Sequence, residues 1–389
     1  MPDLDAGRLI LTPSLYEDMR GLTFSAIVMA GKKVVAEARG PATSGVPVVA
    51  DLDEVRPWSP EDPFLYDIQL TVESKQGKVV DTVSSYAGLR KVHVEGNQFY
   101  LNNEPLYQRL VLDQGYYPDG IWTAPSDRAL KKDIQLSMAA GFNGARLHQK
   151  VFEERFHYWA DKLGYLTWGE TASWGCDYNT VEGARNMLSE WQEIVMRDRN
   201  HPSIIVWTPW NESVHHNNPK QHRRSHIDTY EICKRLDPTR PVNDSSGYIH
   251  HKTDLHTVHN YTQDGRELKK QLTPDKKKGV WINKQDNSEY QGQPYIVDEF
   301  GGILWIPPRG RAFADNSWGY GQGPETTEEF YERLEAQVGA LVSLKHISGW
   351  CYTQLTDVEQ EQNGIYKYCR SSKFDMKRIK KIFEMKRKR

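Results

Sequence analysis

The sequence has little of what marks several specialised classes of protein. Its 389 residues include 50 basic and 52 acidic side chains, a formal net charge of −2, so the overall charge attracts neither nucleic acid nor an anionic membrane. No apolar run approaches the ~20 residues of a spanning helix. The first residues lack the basic start and apolar stretch of a secretory signal. We therefore expect a cytoplasmic protein that binds neither nucleic acid nor membrane.

Cysteine is also scarce, and cofactor motifs are missing. The four cysteines are far apart, and no two stand at the spacing of a metal site. Free thiols fit a reducing compartment. No glycine-rich phosphate loop precedes a helix, and we identify no His-rich metal-binding pattern. We therefore expect no cofactor and no metal.

The first ninety residues have the pattern of a β domain. Apolar and polar residues alternate with period two, and turn residues separate the runs, as in a sheet with one wet face. Five candidate strands are 22–29, 34–38, 46–52, 65–73 and 78–86. Residues 1–90 therefore predict a small β-sandwich.

From residue 91 the pattern changes to strands that alternate with amphipathic helices. We expect Ser126 to cap the first helix, Gly164 to end the second, and a later helix to run from about residue 225 to 236. Eight short apolar runs are 107–112, 144–147, 165–168, 204–207, 241–244, 255–260, 296–298 and 349–355. This number of strands over about 295 residues predicts a (β/α)8 barrel from 91 to 389, with an active site at the carboxyl ends of its strands. The polar segment 263–293 is either a wall of the substrate cleft or a solvated excursion.

Two of these strands deliver a carboxylate to that end of the barrel. Asn211-Glu212 follows the fourth strand, and Glu299 follows the seventh. A lone glutamate after an apolar run is usually a strand-end residue without a catalytic role. A pair of glutamates on two strands is stronger evidence for a catalytic site. Two carboxylates roughly 5–5.5 Å apart are what a retaining glycosidase needs.

Other polar and aromatic residues follow the same strands. The candidates for the substrate site are Arg146, His148, Glu170, Asn211, Tyr261, Trp350, Gln354 and Asp357.

The chemistry of the reaction assigns roles to these side chains. Glu212 is expected to be the acid/base with a raised pKa, and Glu299 the nucleophile, kept ionised by donors such as Arg146 and Tyr261. Asn211 is expected to bind the sugar 2-hydroxyl, and Trp350 to stack on the sugar face. Arg146 either orients a carboxylate or touches substrate.

Several of these segments resemble glycoside hydrolase family 2, the β-galactosidase, β-glucuronidase and β-mannosidase group. Residues 58–66 resemble the immunoglobulin-like domain signature of that family, and residues 141–148 its second-strand segment. Asn200-His201-Pro202-Ser203 leading to Trp210-Asn211-Glu212 resembles the acid/base segment, and residues 295–301 the nucleophile segment. The resemblance implies an immunoglobulin-like sandwich, a TIM barrel and the same roles for Glu212 and Glu299.

The chain also departs from the family pattern. The family places a jelly-roll sugar-binding domain before the immunoglobulin-like one, and this chain begins where that domain would end. The glucuronidases carry an Asn-x-Lys pair before a Gly-Ile step, where this chain has Glu361-Gln362-Asn363 before Gly364. The large β-galactosidases bind magnesium through a histidine beyond the third strand, which is missing after Glu170.

The sequence thus predicts a retaining exo-β-glycosidase acting on a carbohydrate, most of all a β-galactoside. A β-mannoside or β-glucuronide hydrolase of the same family is an alternative. A catalytically weak, truncated carbohydrate-binding remnant is another, and a homo-oligomer is left open.

Overall fold

The computed structural model describes residues 1–16, 21–215, 217–283, 287–307 and 316–387. It shows a β-sandwich followed by a barrel of parallel strands and helices, which confirms the predicted fold class. The domain boundary between residues 90 and 91 stays a prediction. Among the residues described, no helix is both long and apolar enough to cross a membrane.

The sandwich consists of a three-stranded sheet, in the order β1-β2-β5, and a four-stranded sheet, in the order β4-β3-β6-β7. Its strands are β1 (Pro2–Asp3), β2 (Arg8–Leu11), β3 (Thr23–Ala30), β4 (Lys33–Pro41), β5 (Val48–Asp51), β6 (Tyr66–Glu73) and β7 (Val79–Ala87). Along β3, buried residues alternate with less buried ones. The inward side chains of the two sheets form one apolar cluster, as expected for a sandwich. The sequence pattern missed β1 and β2.

A small antiparallel sheet joins the sandwich to the barrel. It comprises β8 (Val92–Glu95), β9 (Gln98–Leu101) and β10 (Glu104–Pro105). Phe99 and Leu101 of this sheet pack with Trp58 and with barrel residues such as Leu110 and Trp168. This sheet therefore seals one end of the barrel.

The barrel sheet has seven hydrogen-bonded parallel strands. In sheet order they are β14 (Ile204–Thr208), β13 (Leu166–Glu170), β12 (Gly144–Leu147), β11 (Gln108–Asp113), β19 (Ile347–Thr353), β18 (Tyr295–Gly301) and β17 (His256–Asn260). Every residue of β14, β18 and β19 is buried, as parallel strands covered by helices require.

The fifth position of the barrel is not a full strand. Val242 forms an isolated parallel bridge with Trp207, and β16 (Ser245–Ser246) pairs only with β15 (Trp210–Asn211). On the other side, the amide of Asp254 donates to the carbonyl of Val242 at 2.9 Å. We call residues 241–246 the seam, because the barrel closes here through a few hydrogen bonds.

Seven helices lie within the described residues. They are α1 (Asp127–Ala139), α2 (Glu154–Leu163), α3 (Val181–Asp198), α4 (Pro219–Leu236), α5 (Gly265–Leu272), α6 (Thr327–Ser343) and α7 (Met376–Phe383). Ser126 caps α1 as predicted, since its side chain accepts from the amide of Ala129. Gly164 ends α2 at φ +71°, and a Cβ there would stand 2.5 Å from the carbonyl oxygen of Pro60.

Two helices differ from the sequence pattern. Helix α4 was expected from residue 225, but it begins at Pro219, with Asn218 as its cap. The segment 263–293 was expected to be aperiodic, yet it contains α5, whose cap Asp264 accepts from the amides of Arg266 and Glu267. The side chain of Asn283, farther along this segment, exchanges two hydrogen bonds with the backbone of His259. The segment therefore contacts the end of β17.

A buried arginine and a buried tryptophan tie the sandwich to the base of the barrel. Arg90 donates to the carbonyls of Pro202 and Ile204, each at 3.2 Å. The indole of Trp58 donates to the carbonyl of Asp161 at 2.7 Å. A cavity of about 540 Å³ lies beside Arg90 at this junction. The contacts place the junction at the barrel end opposite the carboxyl ends of the strands.

Candidate active site

Arg146, from β12, is the centre of the polar residues at the carboxyl ends of the strands. Its guanidinium donates to Glu170 at 2.7 Å, to Asn211 Oδ1 at 3.1 Å, and to Glu299. Burial works against the charge of Arg146, but Glu170 and Glu299 outweigh it and raise its pKa well above the usual value. Of the two expected alternatives, the structure supports the orienting role.

Glu299 lies on β18 between two donors. One carboxylate oxygen accepts from Arg146 and the other from the hydroxyl of Tyr261. The ring of Tyr261 stacks on Tyr320, with centroids 3.4 Å apart, and its hydroxyl lies 3.1 Å from Thr353 Oγ1. Tyr261 is thus held at the side of Glu299, where the sequence analysis expected it.

Glu212 meets a partner that was not among the predicted site residues. His259 Nδ1 lies 2.7 Å from Glu212 Oε1 and 3.4 Å from Glu299 Oε2. Oxygens of the two carboxylates and a ring nitrogen of His259 all lie within 4.8 Å of one another. Glu212 adopts a φ of +48°, a left-handed conformation that is uncommon for a residue other than glycine. The imidazole of His259 therefore bridges the two carboxylates.

The protonation of this bridge differs from the expectation for Glu212. Burial acts to raise the pKa of Glu212, but the hydrogen bond and the charge of His259 outweigh it and lower the pKa. For His259, burial is outweighed by Glu299, Asp298 and the hydrogen bonds to Asp298 and Glu212, so its pKa rises to about 10. The prediction of a raised pKa for Glu212 is wrong for the structure without substrate, because it took no account of this imidazolium.

Asp298 and Ser246 hold His259 from its other side. Ser246 Oγ donates to Asp298 Oδ2 at 2.6 Å and lies 3.0 Å from His259 Nε2. Gly247 leaves the space that the ring needs, because a Cβ there would stand 2.5 Å from His259 Cδ2. Burial acts to raise the pKa of Asp298, but His259 and Arg146 lower it. A charged His259 thus fits between three carboxylates.

The third strand contributes Glu170, and His148, which follows the second strand, lies beside it. Glu170 accepts from Arg146 and from the amide of Gln149 at 3.0 Å, so it orients other site residues. His148 Nδ1 lies 3.6 Å from Glu170. The ring of His148 meets that of Trp174 edge to face, with centroids 5.3 Å apart, and Trp174 is 57% exposed. Trp174 therefore offers an apolar face at the rim of the site.

The loop after β19 brings amides and one acid beside the site. Gln354 Oε1 accepts from Gln114 at 2.8 Å, and Gln354 Nε2 donates to Asn363. Glu361 accepts from Gln114 at 2.9 Å and from Asn363 at 3.2 Å. Burial raises the pKa of Glu361, and both His148 and Glu299 act on it electrostatically. Gln354 thus lies in a network that includes an acid near Glu299.

Two predicted site residues do not join this group. Trp350 is fully buried and packs against Phe142, Phe300 and Phe383. Side chains alternate between the two faces of β19, and the indole of Trp350 lies on the face that packs against the helices. The prediction that it stacks on a sugar is therefore wrong. Asp357 binds the buried ammonium of Lys373 at 2.7 Å and the amide of Gly364. Its carboxylate serves the loop and not a substrate.

Sequence reasoning missed three residues of this region, each for a different reason. His259 stands two positions before Tyr261 at the same strand end, so its position in the sequence could have predicted that it belongs to the site. Trp174 lies beyond Glu170 in a loop with no periodicity to orient it. Glu361 was noted only as a departure from the Asn-x-Lys pair. None of the three belongs to an isolated motif, and only the fold brings them together.

No cofactor site was expected, and among the residues that the structure describes two groups of side chains have the composition of metal ligands. Glu212, His259 and Glu299 form one of them, and His222, His226 and His251 form the other. In the first, the imidazolium of His259 already supplies the positive charge between the carboxylates. The second lies next to the loop of Glu212 and was not anticipated from the sequence.

Two family models match consecutive parts of the chain. The one described as "Glycosyl hydrolases family 2" matches residues 22–90. The one described as "Glycosyl hydrolases family 2, TIM barrel domain" matches residues 92–304, more than half of the chain.

Curated relatives share about 30% identity with part of the chain. A β-galactosidase of Lactococcus lactis is 30% identical over 207 residues, which are 51% of this chain and 20% of that protein. A β-galactosidase of Psychromonas ingrahamii is 27% identical over 281 residues, which are 69% of this chain and 26% of that protein. The chain thus matches about a quarter or less of the length of these relatives.

Solved structures share the fold over nearly the whole chain. A β-D-glucuronidase of Dictyoglomus thermophilum superposes with a TM-score of 0.77 at 21% identity, covering 98% of this chain and 68% of that one. A β-galacturonidase of Eisenbergiella tayi bound to galacturonate gives a TM-score of 0.71 at 21% identity, with 98% and 68% covered. At this identity the likeness shows the fold alone.

Proposed function

The chain belongs to glycosyl hydrolase family 2, and on that basis we propose that it is a retaining exo-β-glycosidase working by double displacement. The observation that carries the proposal is the separation of Glu212 and Glu299, whose carboxylate oxygens lie within 4.8 Å of one another. Retaining glycosidases place the two groups about 5–5.5 Å apart, whereas inverting enzymes need about 6.5–9.5 Å for a water molecule.

Glu299 is the nucleophile in this proposal. Its two oxygens accept hydrogen bonds from Arg146 and Tyr261, which favour the ionised form and fix the direction of attack. Attack on the anomeric carbon forms a covalent glycosyl-enzyme and breaks the bond to the leaving oxygen. Water then cleaves the glycosyl-enzyme and restores the Glu299 carboxylate.

Glu212 is the acid that protonates the leaving oxygen and the base that activates the water. His259 lowers the pKa of Glu212. A glycosidic oxygen bound beside Glu212 can only accept a hydrogen bond, so it favours the protonated carboxyl, and the bound sugar removes water around it. Both effects raise the pKa of Glu212 towards the range of a general acid.

In this proposal the amide of Asn211 donates a hydrogen bond to the sugar 2-hydroxyl. Arg146 is a donor only, so its contact at 3.1 Å fixes which atom of the Asn211 amide is the oxygen. Within the described part of the chain, the buried Nδ2 of Asn211 has no hydrogen-bond partner. A sugar hydroxyl would supply one, and such a contact strengthens in the transition state.

The charge of the loop after β19 favours a neutral sugar over a uronic acid. Glu361 stands where the glucuronidases carry their Asn-x-Lys pair, and it interacts electrostatically with Glu299. A uronate carboxylate would meet this acid where the glucuronidases offer a lysine. Together with the β-galactosidase relatives, this favours a β-galactoside over a β-glucuronide, with a β-mannoside as the neutral alternative.

The test is hydrolysis of chromogenic β-galactoside, β-mannoside, β-glucoside and β-glucuronide, with Glu299→Gln as the control. We expect turnover of a neutral sugar, with the β-galactoside fastest, and its loss in Glu299→Gln. Preference for the β-glucuronide would overturn the argument from Glu361. If the well-folded protein hydrolysed none of these substrates, the result would favour the carbohydrate-binding remnant.

A further inference from the structure

Three histidines outside the catalytic pair lie together beside the seam. His222 and His226 are one turn apart on α4, and His251 comes from the segment between β16 and β17. Each has a ring nitrogen within 4.8 Å of the others'. The ring centroids are 4.2 Å apart for His222 and His226, 4.9 Å for His222 and His251, and 5.3 Å for His226 and His251. We call these residues the histidine cluster.

The spacing of the cluster is close to that of a tetrahedral metal site. Zn²⁺ binds imidazole nitrogen at about 2.0–2.1 Å, which puts two ligand nitrogens about 3.3 Å apart and their ring centroids about 5 Å apart. His222 Nδ1 and His251 Nε2 stand 2.8 Å apart, so they need to separate by only about 0.5 Å to reach that geometry. One ring nitrogen of each histidine therefore lies within reach of a shared ion after a small adjustment.

The hydrogen bonds of His226 leave one of its ring nitrogens with a lone pair. His226 Nδ1 donates to the carbonyl of His222 at 2.8 Å, since a carbonyl oxygen only accepts, and Nε2 is then the unprotonated nitrogen. A histidine bound to metal commonly donates its other N–H to a backbone carbonyl in this way. Ser213 Oγ lies 2.6 Å from Nε2 and has Ser245 Oγ at 3.2 Å as another partner. A metal ion can therefore take over that lone pair.

The surroundings of His222 and His251 are also compatible with metal binding. Within the described residues, the buried Nε2 of His222 has no hydrogen-bond partner. Asp244 fixes the loop of His251, because its Oδ2 accepts from the amide of His251 at 2.6 Å.

We propose that His222, His226 and His251 bind a divalent transition metal of the Zn²⁺ type, with water in the fourth position. The ion joins α4 to the segment that follows the seam, and Ser213 connects the cluster to the adjacent Glu212. This site is separate from the catalytic pair and stands whether or not the chain is a β-galactosidase. Its role is to hold the loop of the acid/base, and no chemical step passes through the metal.

The test measures metal content and thermal stability of the full chain. We expect about one Zn²⁺ per chain after equilibration with ZnCl₂ and removal of excess, and a rise in Tm of about 3–5 °C at a Zn²⁺ concentration 100 times Kd. Co²⁺ in place of Zn²⁺ should give the visible absorption of a tetrahedral complex. Absence of both bound metal and Tm shift in the unmodified protein would overturn the proposal.

Variants assign the site to these residues. His251→Gln is the first choice because His251 is only partly buried, and His222→Gln is the second. Each should lose stoichiometric Zn²⁺ and the Tm shift. The matched control is His256→Gln, which removes another buried imidazole of low pKa outside the cluster and should keep both. Zn²⁺ binding by folded His251→Gln and His222→Gln at the affinity of the unmodified protein would show that the ion binds elsewhere.

Discussion

Arg146 and Arg90 are both fully buried in the barrel region, yet their surroundings differ in kind. Arg146 donates to three side chains, those of Glu170, Asn211 and Glu299. Arg90 donates to two backbone carbonyls at the opposite end of the barrel. Acidic partners raise the pKa of Arg146 well above its usual value, whereas burial, with Arg240 nearby, lowers that of Arg90 well below it.

The comparison distinguishes two uses of a buried arginine, one in a functional site and one in joining segments of the chain. Side-chain acceptors are free to change their protonation and to bind substrate, so a network built from them can do chemistry. Backbone carbonyls have fixed positions and no titratable proton, so an arginine that binds them joins segments of the chain. The predictions below test this separation between the strand-end site and the junction.

The largest effect is expected at the two carboxylates. Glu299→Gln removes the nucleophile and should lower kcat by on the order of 10⁴-fold or more for every substrate. Glu212→Gln removes the proton donor and should cost about 10²–10⁴-fold, and less for aryl glycosides whose leaving group needs no proton. The measurement is kcat/KM for aryl glycosides of graded leaving-group pKa. A Glu212→Gln loss independent of the leaving group would contradict the acid role.

The next effect compares the two arginines directly. Arg146→Met leaves buried carboxylates unpaired and should cost about 3–5 kcal/mol of stability, together with most of the activity. Arg90→Met leaves two carbonyls unsatisfied and should cost about 2–3 kcal/mol, while the folded protein keeps the kcat of the unmodified one. Urea unfolding and kcat of each variant measure this. A lowered kcat in folded Arg90→Met would contradict the distinction between a functional Arg146 and a structural Arg90.

The pH dependence of His259 gives a smaller effect. Folding raises its pKa from 6.5 to about 10, so its favourable contribution is complete below pH 6.5 and is lost as pH rises through 10. The Tm difference between the unmodified protein and His259→Gln should therefore shrink between pH 7 and pH 10. The pKa of Glu212 should rise in the variant, which moves the alkaline limb of kcat/KM to higher pH. An unmoved limb would mean that His259 does not act on Glu212.

The smallest effect concerns Trp350. Trp350→Phe shrinks a buried ring and should lower stability by about 1–3 kcal/mol, with KM unchanged because the indole faces the helices. The matched variant is Trp174→Phe, at the exposed rim, which should raise KM at unchanged Tm. Thermal unfolding and initial rates for both variants measure this. A raised KM in Trp350→Phe at unchanged Tm would restore the original prediction.

The sequence predicted those parts of the fold that local chemistry dictates. Ser126 and Gly164 bound their helices as expected. Glu212 lies four positions beyond the end of the fully buried β14, and Glu299 lies within β18, two residues before its end. Helix α4 shows where local reasoning failed. Its start at Asn218-Pro219 was overlooked, so His222 and His226 were not seen as neighbours on one helix face. His251 joins them from a distant segment, which no spacing rule reveals.

The candidate site shows the same division. Arg146, Glu170, Asn211 and Tyr261 gather where the strand ends predict, because parallel strands deliver their last residues to one face. The direction of a side chain depends on packing beyond the strand. That is why Trp350 was placed in the site and His259 was left out, and why the pKa of Glu212 was predicted in the wrong direction.

The seam has a consequence for the motions of the barrel. Between β14 and β17 the closure depends on one isolated bridge and a few further hydrogen bonds, so opening the barrel there breaks fewer contacts than opening it elsewhere. Amide hydrogens of residues 242–255 should therefore exchange with solvent deuterium faster than those of β11–β13. The amide of Glu212 donates to the carbonyl of Ser246 in this seam, so local opening of the barrel would also move the residue that we propose as the acid/base.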